Sequence, residues 1–168
     1  MLRPIATTLL LLISVPAWAD QADVEYGTAK ESLEKLKGDA KRRAMRHHWQ
    51  NVARRFEAVA KKHPKSERAP ESLFNAGRLY NELSRISRND EDVAAAERSY
   101  RKLIASWPKH RLADDSALAL ARLLADRRND AAGARAVLEG ALPHANDMKA
   151  MMNTMLAELP KPARPAAK

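Results

Sequence analysis

A helix-ending proline followed by a new helix start occurs twice in the chain, 44 residues apart. The stretches FEAVAKKHPKSERAP (56–70) and YRKLIASWPKHRLAD (100–114) share this layout, with Pro64 aligned on Pro108. Proline lacks a backbone N–H and clashes with the preceding turn, so each of these prolines should end a helix. Self-similarity at a fixed spacing is typical of repeat architectures, and it predicts a chain built from helical hairpins in series.

The composition favours helices throughout the chain. It contains only five glycines and no alternating β-branched runs, whereas Ala, Leu, Arg, Glu and Lys, which favour helices, dominate it. Apolar spacing, prolines, and N-cap candidates such as Asn89 and Asp90 set the boundaries. They predict helices over residues 28–37, 42–63, 70–87, 91–107, 113–127, 131–142 and 146–158. Six or seven amphipathic helices with short loops predict an all-α fold of antiparallel hairpins.

Aligning Pro64 with Pro108 also aligns residues of similar character, such as Phe56 with Tyr100 and Arg78 with Arg122. The pattern resembles the tetratricopeptide repeat. That family has a small residue where the two helices of a hairpin cross and a large apolar residue three positions later. A small residue, an aromatic residue and a closing proline follow in the second helix. These places fall on Gly77, Tyr80, Ala96, Tyr100 and Pro108, and Phe56 takes the aromatic place one half-repeat earlier.

The resemblance implies a solenoid of stacked hairpins with a concave, partner-binding face. Two features depart from the family pattern. The spacing of 44 residues exceeds the usual period of about 34. In the second repeat, Ala121 and Leu124 replace the glycine and the tyrosine. An irregular helical bundle is the alternative arrangement.

The first 19 residues have the layout of a secretory signal peptide. Arg3 precedes an apolar run over 5–15, and the small-x-small site Ala17-Trp18-Ala19 predicts cleavage after Ala19 and a periplasmic location. An uncleaved anchor is the alternative. No later apolar segment is long enough to cross a membrane, and the chain has no cysteine, so packing must stabilise it. The predicted organisation is a signal peptide over 1–19, a helical extension over 20–41, a repeat domain over 42–158 and a disordered Pro/Ala-rich tail over 159–168.

The formal charge of +9 leaves two interpretations open: solubility, or attraction to an anionic cell-wall polymer. The basic clusters at 41–46, Arg54-Arg55 and Lys61-Lys62 lie on one predicted helix with few aromatic residues between them. Non-specific binding of single-stranded nucleic acid uses stacking aromatic side chains as well as cations. A solvated helix face is therefore the preferred interpretation, and no nucleic-acid partner is expected.

Residues 45–124 resemble the repeat region that precedes some bacterial N-acetylmuramoyl-L-alanine amidases. The shared features include Arg46 and Trp49, the segment AGRLYNEL (76–83) and LADD (112–115). The catalytic domain of those enzymes binds zinc through His and Glu, and its metal-binding pattern does not occur here. The five histidines lack the i, i+4 spacing of a helical metal site. We therefore expect no enzyme activity, cofactor or metal.

The family resemblance places the groove on the first helix of each hairpin. The lining positions implied are Phe74, Arg78, Asn81, Leu118, Arg122 and Asp126. Two arginines in equivalent places suit carboxylates of a partner through forked hydrogen bonds, unless both arginines only form ion pairs within their helices. The predicted function is a secreted, non-catalytic scaffold that binds a protein or peptide in the cell envelope. The alternative is a detached targeting module of a peptidoglycan amidase.

Overall fold

The computed structural model describes residues 17–160, and every regular element in that range is helical. The helices are α1 (Ala17–Gly38), α2 (Ala40–Arg43), α3 (Arg46–Lys62), α4 (Arg68–Ser87), α5 (Asp90–Ser106), α6 (Arg111–Arg128), α7 (Ala131–Ala141), a short 3-10 helix (Leu142–His144) and α8 (Lys149–Glu158). The all-α prediction is confirmed. The predicted signal peptide and tail fall largely outside the described residues, in 1–16 and 161–168.

Helix boundaries follow local capping chemistry. Asn89 caps α5 by accepting a hydrogen bond from the Glu91 N–H at 2.8 Å, as its sequence position predicts. Helices α4 and α6 are followed by the C-cap residues Arg88 and Asn129, both in the left-handed region with φ of 52°. Helix α4 begins at Arg68, two residues before Pro70. Pro70 therefore lies in the first turn, where backbone N–H groups have no partner within the helix, so its missing N–H costs no hydrogen bond.

The N-terminal part of the fold differs most from the sequence-based boundaries. Helix α1 begins at Ala17 rather than at residue 28, and it is 22 residues long. The helix expected from residue 42 is divided into α2 and α3. The side chain of Asp39 accepts hydrogen bonds from the N–H groups of Lys41 and Arg42 and so starts α2 after the end of α1. The break before α3 falls at Met45, whose backbone is extended. This division gives eight α-helices over residues 17–160 instead of six or seven.

The helices pack in chain order. Helix α1 packs on α3, α4 on both α3 and α5, and α6 on α5 and α7. Helix α4 also contacts α1 and α6, two helices that are not its neighbours in sequence. The largest fully buried side chains come from seven of the helices and include Leu36, Phe56, Leu83, Tyr100, Leu120, Leu138 and Met152. The segment predicted as an N-terminal extension therefore shares the main core through α1.

An ion pair between the buried Asp92 carboxylate and the partly exposed Arg46 side chain joins α3 to α5. Both oxygens of Asp92, whose side chain is 1% exposed, accept hydrogen bonds from Arg46, at 2.8 Å from Nε and from Nη2. The Ser87 hydroxyl donates to the same carboxylate at 2.7 Å. Burial alone would raise the pKa of Asp92, but these hydrogen bonds and the Arg46 charge outweigh it and lower the pKa below its usual value.

Helix α8 packs against the last hairpin. Met152 is fully buried, and Met148 and Met155 are partly buried and pack against the core, so these three methionines anchor the segment. Arg135 of α7 donates to the carbonyl oxygens of Leu156 and Leu159, each at 3.0 Å, which satisfies the C-terminal end of α8. No helix within residues 17–160 combines the length and the apolar character needed to cross a bilayer.

Candidate functional site

The predicted groove residues lie on α4 and α6, but they do not all share one environment. Arg78, Arg122 and Asp126 are exposed, and Phe74 and Asn81 are half-buried. Leu118 is only 5% exposed and belongs to the hydrophobic core, so it supports this surface from below instead of lining it.

A cavity of about 320 Å³ lies between α4 and α6. Its lining consists of Asn81, Arg85, Ala119, Arg122, Leu123, Asp126 and Arg127. Three of the six groove residues predicted from the sequence, Asn81, Arg122 and Asp126, therefore meet at one place. Arg85 and Arg127 were missed by the sequence reasoning. The signal for Arg85 was its position four residues after Asn81, which places both on one side of α4.

Three arginines on α4 and α6 have no carboxylate within ion-pair distance among residues 17–160. Within the described residues, Arg78, Arg85 and Arg122 form no ion pair. The Arg78 guanidinium lies 5.8 Å from the centre of the Phe74 ring, and Nη2 of Arg122 lies 3.6 Å from Sδ of Met151. Two unpaired guanidinium groups, those of Arg85 and Arg122, thus line the cavity, and Arg78 lies on α4 seven residues before Arg85.

Arg127 has a different role from these three arginines. Its Nη2 donates to the carbonyl oxygen of Ser84 at 3.1 Å and so joins the end of α6 to the end of α4. This contact holds the two walls of the cavity together. Both walls of the cavity are thus helical and are joined directly to each other.

Tyr100 fills the space behind the α4 surface. A Cβ atom added to Gly77 would lie 2.6 Å from Cε1 of Tyr100, so only glycine permits this approach. Burial raises the pKa of the Tyr100 phenol well above its usual value, although the charges of Arg78 and Arg85 and a hydrogen bond with Asn81 act in the opposite direction. The phenol stays neutral and packs as a rigid wall.

The other residues assigned to repeat packing are also buried. Phe56 is fully buried and makes an edge contact with Tyr26 at 5.7 Å between ring centres. The Tyr80 hydroxyl donates to Oε2 of Glu57 at 3.2 Å, and Ala96 is fully buried. These side chains form the layers between α3, α4 and α5.

No group of three His, Cys, Asp or Glu side chains that could hold a metal ion occurs in the part of the chain the structure describes. Of the histidines beside the two prolines, His110 accepts through Nδ1 from the Leu112 N–H at 3.2 Å. Nε2 of His63 is buried, has no hydrogen-bond partner within residues 17–160 and lies 3.6 Å from Glu25. Comparison of the chain with known protein families, curated proteins and solved structures gives no match.

Proposed function

We propose that the chain is a non-catalytic scaffold of the bacterial cell envelope, exported by its N-terminal segment, that binds an extended, carboxylate-bearing peptide between α4 and α6. The observation that carries this proposal is a set of three guanidinium groups that form no ion pair among residues 17–160. Arg85 and Arg122 line the cavity, and Arg78 lies seven residues before Arg85 on α4. An arginine fork matches a carboxylate in two parallel hydrogen bonds, and each such bond is stronger than a neutral one.

The proposal includes a tetratricopeptide-like stacking of three hairpins, α1 with α3, α4 with α5, and α6 with α7. The contacts of α4 with α1 and α6 support it, because in such a stack the first helices of successive hairpins touch. At one of these contacts, Nδ2 of Asn75 donates to the Tyr26 hydroxyl at 3.2 Å. The close approach of Gly77 and Tyr100 supports the same arrangement within the middle hairpin.

The neutral and acidic groups of the cavity suit a peptide backbone. Asn81 offers both a donor and an acceptor, and Asp126 offers acceptors to the N–H groups of a bound chain. The arginines select acidic side chains or a terminal carboxylate. Asp126 repels any part of the ligand that would place a negative charge beside it. All these residues project from helices, which hold a binding site more precisely than loops do.

Site-specific photo-crosslinking in the exported protein tests the proposal. A photoreactive residue at position 78 or 122 should capture one common envelope polypeptide. The same residue at Lys102, exposed on α5, serves as the control and should not capture it. Equal capture at all three positions, or no capture at 78 and 122, would contradict the proposed groove. Washing with salt distinguishes diffuse polymer binding, which weakens steeply with ionic strength, from a desolvated groove contact, which weakens less.

A further inference from the structure

The positive charge of the chain is confined to one region. Residues 35–62 contain ten Lys and Arg against two acidic residues, a net +8 out of the formal +9 of the whole chain. The rest of the sequence is therefore almost neutral. This region covers the end of α1, all of α2 and all of α3, and it lies outside the cavity between α4 and α6.

Part of this charge converges on a second cavity, of about 270 Å³, between α1 and α3. Its polar lining residues are Ser32, Lys35, Arg42, His48, Asn51 and Arg55. Leu36 and Val52 form the apolar remainder, and no carboxylate lines the cavity. The positions on α3 are spaced by three and four residues, so they share one helix face directed at α1.

The cations of this cavity differ in whether they are neutralised. Within residues 17–160, Lys35 and Arg55 form no ion pair. Nε of Arg42 lies 3.3 Å from Asp39, and both side chains are almost half exposed, so that pair is weak. The Asn51 side-chain oxygen accepts from Arg54 at 2.8 Å, which leaves the Asn51 amide nitrogen as the donor available to a ligand.

We propose that this cavity binds a phosphate group, with Lys35 and Arg55 as its two main contacts and Asn51 as a neutral donor. A phosphate carries up to two negative charges, which match two cations that have no carboxylate partner. A carboxylate carries one negative charge and would leave one of these cations uncompensated. Arg55 supplies a planar fork of donors and Lys35 a compact point charge, a combination that suits a tetrahedral oxyanion. The site is separate from the peptide groove and shares no residue with it.

The test compares two double variants of the full chain that carry the same change in charge. Lys35→Gln/Arg55→Gln removes the two cavity cations. Lys41→Gln/Lys61→Gln removes two exposed cations of the same basic region that do not line the cavity. Each protein is titrated with inorganic phosphate, and separately with acetate, at constant ionic strength, and binding is followed by amide chemical shifts. Thermal midpoints show that each variant is folded, and the single variants K35Q and R55Q replace the pair if it is not.

We expect the wild-type protein to bind phosphate saturably and in preference to acetate. K35Q/R55Q should lose about tenfold or more in affinity, which corresponds to about 1.4 kcal/mol, while K41Q/K61Q should change by no more than about twofold. Equal losses in the two pairs, equal binding of acetate, or phosphate binding that does not saturate would each overturn the proposal.

Vesicles identify the source of the phosphate. If the group belongs to a lipid, phosphatidylcholine vesicles that contain phosphatidic acid should sediment the wild-type protein but not K35Q/R55Q, and inorganic phosphate should compete. If the vesicles leave the protein in solution while inorganic phosphate still binds, the ligand is a soluble phosphate compound. Sedimentation that both double variants lose equally would indicate diffuse attraction to the membrane and overturn the cavity as the binding site.

Discussion

Gly77→Ala tests the close helix crossing of the middle hairpin. Two effects compete in this substitution. Replacing glycine by alanine inside a helix gains about 0.8–1.0 kcal/mol in helix propensity. The added methyl group, however, would lie 2.6 Å from Cε1 of Tyr100, whose side chain is only 1% exposed and cannot move into solvent. Overpacking of this kind costs about 1–3 kcal/mol, so we expect a net loss of about 1 kcal/mol in the free energy of unfolding.

The matched control is Gly27→Ala within α1, where an added Cβ would meet no atom within 4 Å. This variant should gain stability by about 1 kcal/mol, so the two variants should differ by about 2 kcal/mol. Urea unfolding followed by far-UV circular dichroism measures the stability of both variants, provided that the slope of the unfolding free energy against urea concentration matches that of the wild type. In a Tyr100→Leu background, the cost of Gly77→Ala should shrink by about 0.5 kcal/mol or more. If G77A is as stable as G27A, the crossing is not as close as the structure shows.

Three further predictions concern polar contacts. Asp92→Asn should lower the free energy of unfolding by about 2 kcal/mol near neutral pH, because it removes the charge that Arg46 pairs with at a buried carboxylate. The pKa of Asp92 is lowered in the folded state, so the stabilisation from its carboxylate is present above about pH 4 and lost as pH falls below that value. The difference in unfolding free energy between wild type and D92N should therefore narrow at low pH. A difference that stays constant with pH would contradict this role of Asp92. Arg135→Ala should lower the free energy of unfolding by about 1–2 kcal/mol and speed amide hydrogen exchange in α8 but not in α4. If the amides of α8 exchange equally slowly in the variant and the wild type, Arg135 does not cap α8. Asn89→Ala should lower the free energy of unfolding, measured with urea, by about 1 kcal/mol, whereas Asn89→Asp should keep the stability of the wild type. An equal loss in both variants would show that the side-chain cap is not the cause.

The sequence predicts local features of this fold well. Pro64 and Pro108 follow the ends of α3 and α5 within two residues, because proline acts on the turn directly before it. The juxtaposition of Gly77 with Tyr100 was also expected from the repeat pattern, because a missing side chain on one helix and a large one on the next are complementary.

Contacts between distant segments could not be predicted in the same way. Arg46 was noted in the sequence as part of a shared motif, but its partner Asp92 is 46 residues away, and no periodicity connects them. The position of Arg127 on the Ser84 carbonyl likewise depends on how α6 lies against α4. The start of α1 at Ala17 was missed because residues 20–27 carry few apolar side chains at helical spacing, and packing on α3 compensates for that weak local signal.

The groove between α4 and α6 can be tested directly by mapping amide chemical shifts while the full chain is titrated with an unstructured peptide of alternating Asp and Gly residues. We expect the largest shifts around Asn81 and Arg122. They should disappear in Arg78→Gln/Arg122→Gln and persist in Arg98→Gln/Lys102→Gln, which removes the same charge from the exposed side of α5. Shifts that centre on α1 and α3, or that both double variants weaken equally, would contradict a peptide groove on α4 and α6.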